Sequence, residues 1–170
     1  MHCNSNVSGW VASLHLHPAK AGDPFSEVSS IHVVADKGIE GNPRYFGRIS
    51  QNGTPGRRQL TLIERSQIME HADKLGLKVI TPGTVRSNIE TDGINLIELI
   101  GQKVQIGSAI LFFYEPRLPC AKMDAICNGL RKLMENNKQG VLAQVIASGT
   151  IAVGDRITFC DDQLSRELHQ

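Results

Sequence analysis

The sequence predicts a mainly β fold with a few helices (α+β), built as a closed or half-closed β-barrel. Two observations carry that prediction. Short β-prone segments recur along the whole chain, and glycine-containing turns separate them, leaving room for only two or three helices. The chain has 170 residues, 41% of them hydrophobic, which suits one compact domain over residues 1–170.

Taken in order, Val7 to Leu16 is short and β-prone and reads as a first strand. Val28 to Ala35 has β-branched residues at strand spacing and reads as a second. Residues 36–57 are rich in Gly, Pro and Asn, too long for a simple turn, and read as a functional or mobile loop. Gln59 to Ile63 alternates as a strand does. Glu64 to Gly76 follows as a helix, with Ile68, Met69, Ala72 and Leu75 at helical spacing and Gly76 as its C′ stop. Val85 to Thr91 reads as a strand or extended loop, and Asn95 to Ile100 as one helical turn capped by Asn95. Lys103 to Ile106 and Ala109 to Glu115 are paired strands around the two-residue turn Gly107-Ser108. Cys120 to Asn136 is expected to be helical, in two pieces broken near Gly129. Val141 to Ala147 and Arg156 to Cys160 complete the strands.

Charge excludes some functions. Lys and Arg number 18 against 17 Asp and Glu, so no global field draws in nucleic acid or an anionic membrane, and any anion site must be a local cluster. No apolar run has the length of a transmembrane helix, and Met1 to Ser13 lacks the basic segment and apolar core of a secretory signal. The four cysteines, Cys3, Cys120, Cys127 and Cys160, form no CxxC pair. That argues against a structural zinc site and a thioredoxin-like couple, and fits a cytoplasmic protein with reduced thiols.

The leading chemical candidate is Cys120, in Glu115-Pro116-Arg117-Leu118-Pro119-Cys120 between a strand and a helical segment. In the first turn of that helix its thiolate would be favoured by the dipole, and Arg117 and Lys122 would push the same way if they point inward. The plain alternative is a small buried hydrophobe. Arg86 and Asn88, two apart on an extended segment, would share a face and offer a guanidinium fork and an amide; a salt bridge and a turn-capping amide would explain the same residues with no function at all. Arg57 and Arg58, with Arg44 and Arg48 in the preceding loop, suit anion capture or form a solvated charged loop. His32 reads as a core histidine. His15 and His17 have same-face ligand spacing, but nothing near them in sequence completes a site. No nucleotide-binding glycine fingerprint occurs.

In series these pieces resemble the MOSC domain, named for the C-terminal domain of molybdenum-cofactor sulfurases. The matching residues are Gly38-Ile39-Glu40-Gly41, Arg58 to Glu64, Pro82-Gly83, Arg86-x-Asn88-Ile89 and Thr91-x-Gly93-Ile94. Gly101, Ile106-Gly107, Pro119-Cys120, Gly140-Val141, Val145, Gly149 and Gly154-Asp155 continue the series, which spans roughly residues 28–160. The resemblance implies a β-barrel fold, related to the pyruvate kinase β-barrel domain, that binds the molybdenum cofactor. Cys120 would then be the catalytic thiol, as a molybdenum ligand or a persulfide carrier. Arg86, Asn88, Arg57, Arg58 and Thr91 would hold the pterin and phosphate. Relatives that bind the cofactor reduce N-hydroxylated compounds. Where relatives often carry an acidic residue after Gly41, this chain has Asn42, and the additional N-terminal domain that helps clamp the cofactor in larger reductases is not expected.

Three functions follow from the resemblance. The first is a molybdenum oxidoreductase acting on N–O bonds, which needs an external electron donor because the chain carries no flavin, haem or iron–sulfur motif. The second is a sulfur carrier in which Cys120 takes a persulfide from a cysteine desulfurase; no pyridoxal phosphate is expected in this chain. The third is a non-catalytic barrel that binds another small anion or a protein. Oligomeric state is left open.

Overall fold

The computed structural model describes residues 3–4 and 9–160. In chain order the elements are β1 (Cys3–Asn4), β2 (Trp10–Leu16), β3 (Ser26–Val28), β4 (Ser30–Val34), β5 (Gly38–Ile39), β6 (Leu60–Glu64) and α1 (Arg65–Lys74). Then come β7 (Ile89–Asp92), a 3₁₀ turn (Ile97–Leu99), β8 (Lys103–Ile106), β9 (Ala109–Pro116), α2 (Lys122–Ile126), α3 (Leu130–Leu133), β10 (Val141–Ala147), β11 (Gly149–Ala152) and β12 (Ile157–Cys160).

Nine strands form one sheet in the order β1-β12-β8-β9-β10-β6-β7-β2-β3, and three form a second, β11-β4-β5. All pairings are antiparallel except β6 with β7. A parallel pair needs a crossover, and α1 with the segment behind it supplies that crossover. β6 is buried at all five positions because neighbours flank it on both sides and both of its faces are covered. β9 shows the clean alternation of a strand with one buried face, burying Ala109, Leu111 and Phe113.

The barrel expectation is corrected here. The large sheet is strongly curled: the Val11 N–H donates to Asp155 O (2.9 Å) and the Gly154 N–H donates to Val11 O (2.8 Å). Even so, β2 and β12 share no strand ladder, and β1 and β3 remain as edges. The architecture is two open sheets with helices on one side, not a closed barrel.

One core cluster, with Leu14, Val33, Leu62, Phe113, Val145 and Ile151 among its members, fills the space between the sheets. A second joins the helices to the back of β6 through Ile63, Ile68, Val85, Met123, Leu130 and Met134. Each such side chain, fully buried, stabilises the fold by roughly 1.5–3 kcal/mol. The second cluster matters for the site because Val85 and Met123 lie next to the segments that carry Arg86 and Cys120.

The other differences from expectation are local. Val7 and Ser8 lie outside the described residues; from Trp10 on, the first strand is present as β2. The second strand is broken into β3 and β4. The loop after Asp36 contributes the short β5, and Gly149–Ala152 is a strand, paired to β4. Leu96, not Asn95, caps the 3₁₀ turn. Gly76 ends α1 as read: its N–H donates to Asp73 O (3.1 Å) and that of Leu77 donates to Ala72 O (2.9 Å), a Schellman closure.

Candidate functional site

One transverse row of the sheet gathers the site. Pro116, Val141, Leu62, Ile89 and Leu14 are successive cross-strand partners in β9, β10, β6, β7 and β2. Just past this row β9 and β2 end and β7 begins, so Arg117, His17 and Arg86 lie at one end of these strands. Gly140 lets the start of β10 lie against β6: a Cβ there would sit 1.8 Å from Leu62 O, and its φ is +77°.

The cavity formed there holds about 140 Å³ and brings together Arg44, Arg58, Arg86, Arg117, Lys122 and Cys120, with His17, Phe25 and Tyr45 in its walls. No carboxylate lines it among the described residues. A larger groove of about 570 Å³ runs between α1 and residues 77–80, but it brings together no thiol and no converging set of cations.

Arg117 is the most telling member. It is only 9% exposed, its Nη1 donates to Arg86 O (3.0 Å), and no carboxylate pairs with it among the described residues. Burial, with Arg58 beside it, lowers its pKa from the ordinary arginine value to about 10. A buried guanidinium among like charges is costly unless an anion completes its surroundings. Ring stacking sets the neighbouring cations: Arg58 lies 4.8 Å from the Tyr45 ring centre and Arg86 4.7 Å from that of Phe25. Gln59 anchors Arg58 by accepting the Val145 N–H (2.8 Å) and donating to Gly56 O (2.9 Å).

Arg86 sits at φ 61° and Tyr45 at φ 68°, left-handed backbone that non-glycine residues rarely adopt. Buried Glu90 holds the Arg86 turn in place. Its carboxylate accepts the Gly83 N–H (2.6 Å) and an Arg65 Nη1 hydrogen bond, and lies 3.5 Å from His15 Nε2. Gly83 has no substitute here: φ is +85°, and a Cβ would lie 2.8 Å from His15 Nδ1.

His17 sits between Phe25 and Tyr45, with ring centres 4.4 and 5.4 Å away. Asn42 Oδ1 accepts from the His17 backbone N–H (2.8 Å) and lies 3.2 Å from Nδ1, while Asn42 Nδ2 donates to Arg44 O (3.0 Å). Burial, reinforced by Arg117, Arg86 and Arg44, lowers the His17 pKa to about 4 despite the Asn42 hydrogen bond.

Of the residues expected from sequence, Cys120, Arg86 and Arg58 come together in the cavity. Arg57 lies elsewhere, its guanidinium 4.3 Å from the Tyr114 ring centre. Asn88 is buried and ties three strands: Oδ1 accepts from the Thr61 N–H (3.2 Å) and Nδ2 donates to His15 O (3.0 Å). Thr91 is buried, its hydroxyl donating to Ile63 O (3.4 Å). Arg86 and Asn88 do not share an extended face, because the positive φ at Arg86 turns the chain between them. Cys120 is exposed and precedes α2 rather than lying in its first turn; its carbonyl accepts the Met123 N–H (3.0 Å). His17, Phe25 and Tyr45 were not singled out as site residues from sequence. No three His, Cys, Asp or Glu side chains cluster as a metal site among the described residues.

The curled two-sheet fold, with a thiol lining a cavity among cationic side chains, defines a β-rich α+β domain. The MOSC domain model matches residues 12–158, and the chain belongs to the MOSC domain family. Solved structures of similar fold include the YuaD protein from Bacillus subtilis, with TM-score 0.73 and 17% identity over 89% of this chain and 95% of that one. YiiM from Escherichia coli gives 0.67 and 20% over 91% and 70%, and YiiM from Geobacillus stearothermophilus 0.69 and 16% over 90% and 75%. No match is found among the curated proteins.

Proposed function

We propose that this chain binds the molybdenum cofactor in the arginine-lined cavity and reduces N-hydroxylated compounds, with Cys120 as a sulfur ligand of the metal. The observation that carries the reading is the convergence of an exposed thiol with five cationic side chains and no carboxylate. The residues fit the group: the cofactor is an anion ending in a phosphate, and Arg117 is a buried cation with no counter-charge among the described residues. When bound, the cofactor supplies the two-electron chemistry at its metal. Arg58, Arg86 and Arg117 hold the phosphate and pterin, and Cys120 offers a soft donor. Electrons come from a separate donor protein.

The exposure of Cys120 also favours a second reading, a sulfur carrier that accepts a persulfide from a cysteine desulfurase, since such a thiol must be reached by a partner. The test is to produce the protein in a host that makes the cofactor and to measure bound molybdenum and pterin. Near-stoichiometric metal in the wild type, lost in Cys120→Ala, is the expected result. No metal or pterin in the wild type overturns the oxidoreductase reading. A one-sulfur mass gain on Cys120 after exposure to a desulfurase then supports the carrier.

A further inference from the structure

We propose that His17 makes the cavity selective for oxyanions that still carry a proton, hydrogen phosphate being the simplest of the class. The inference rests on reading the cavity as an anion site and goes further in naming what the site prefers, a preference that a phosphate ester meets only in its singly protonated form. Its basis is the fixed orientation of one amide. Asn42 Nδ2 donates to Arg44 O (3.0 Å), which turns Oδ1 toward His17, and the His17 backbone N–H donates to the same oxygen (2.8 Å). Two amides approach Nδ1, the acceptor Asn42 Oδ1 at 3.2 Å and Asn88 Nδ2 at 3.5 Å, the latter already donating to His15 O (3.0 Å); the shorter contact, to an acceptor, favours the ring proton on Nδ1. Nε2 is then left with a lone pair and has no hydrogen-bond partner among the described residues. Phe25 and Tyr45 flank the ring and limit its rotation.

Burial keeps His17 neutral near pH 7, and Arg117, Arg86 and Arg44 add to it in disfavouring a second proton. The arginines and Lys122 have only donors to offer, so His17 supplies an acceptor in a ring of donors. An anion whose oxygen still bears hydrogen satisfies both: its bare oxygens take the guanidinium N–H groups and its hydroxyl donates to Nε2. A fully deprotonated anion of the same charge sets lone pair against lone pair there. Hydrogen phosphate and sulfate are such a pair, both dianionic and tetrahedral, and the arginines alone do not tell them apart.

The experiment is calorimetric titration of the full chain at pH 7.5 with inorganic phosphate and with sulfate. The wild type is expected to prefer phosphate at least about tenfold, the scale of one gained hydrogen bond set against one repulsion. His17→Leu should bring the ratio near one by weakening phosphate. His17→Gln, whose amide rotates to present an N–H, should bind sulfate as well as phosphate, and serves if the leucine variant folds poorly. Arg117→Met should weaken both ions and keep the ratio. Equal binding by the wild type, a ratio that survives both His17 variants, or binding of neither ion overturns the proposal. A phosphate preference in protein that never acquires molybdenum overturns the cofactor reading alone.

Discussion

Replacing Arg117 by methionine should make the protein more stable and its cavity less able to hold an anion. Lowering the arginine pKa from its ordinary value to about 10 means that the fold holds this charge at a cost of about 3 kcal/mol, at about 1.4 kcal/mol per tenfold change in acidity. Sign and pH window follow from linkage. The folded pKa lies below the unfolded one, so the penalty is in force below about pH 10 and is relieved only as pH rises from there toward the ordinary arginine value. At neutral pH the whole cost is present. Methionine keeps most of the length and apolar volume of the stem but gives up the hydrogen bond to Arg86 O, worth about 1 kcal/mol. The net gain is about 2 kcal/mol, which for a domain of this size raises Tm by about 4–8 °C. Thermal unfolding by circular dichroism, with and without phosphate, measures both consequences. The wild type should gain Tm on adding phosphate and the variant should not. A variant that melts lower than the wild type, or that is stabilised by phosphate to the same extent, would refute the reasoning that Arg117 is held unpaired for an anion.

Three further outcomes are expected. Asn42→Ala removes the acceptor of two His17 contacts and the donor to Arg44 O; it should cost about 1–3 kcal/mol and reduce the phosphate-to-sulfate ratio, read by denaturant unfolding and calorimetry. Gly83→Ala forces a methyl to 2.8 Å from His15 Nδ1 at φ +85° and should cost about 1–3 kcal/mol, seen as a lower Tm together with weaker phosphate binding as the Arg86 turn shifts. Burial holds the folded pKa values of His15 and His17 below their ordinary value. Their contribution is therefore present above pH 6.5 and is lost as pH falls, for His17 between 6.5 and about 4. A Tm that stays flat over that window in the wild type would count against it.

The fold was legible where local pattern and burial agree. β9 alternates because one of its faces is buried, and α1 stops at Gly76 because the glycine can take the left-handed C′ position at φ +71°. Reading failed where tertiary partners decide. Gly149–Ala152 becomes a strand because β4 is there to pair with it, and Gly38–Ile39 does so only against Val33 and Val34. The expectation of a closed or half-closed barrel rests on the number and shortness of the strands, which are the same for a curled open sheet; only the missing ladder between β2 and β12 distinguishes them.

For the site, Cys120, Arg58 and Arg86 stand in recognisable surroundings, whereas His17 takes its meaning from residues far away in the chain. Its ring is set by Asn42, 25 positions on, and its charge by burial with Arg117 and Arg86 adding to it, so a local reading finds a histidine with nothing beside it. Asn42 reads in the sequence as a lost carboxylate. In the structure that same change bears on the charge of His17. A carboxylate against Nδ1 would favour the imidazolium, turning Nε2 from an acceptor into one more donor in a cavity already full of donors. Asn42→Asp should therefore raise the His17 pKa from about 4 and shift oxyanion preference toward sulfate. Histidine ring resonances followed by NMR across pH 4–8 in wild type and variant measure the first effect, and paired phosphate and sulfate titrations measure the second. If the resonance moves and the preference does not, Nε2 is not the atom that meets the ligand, and the selectivity of the cavity lies with the arginines alone.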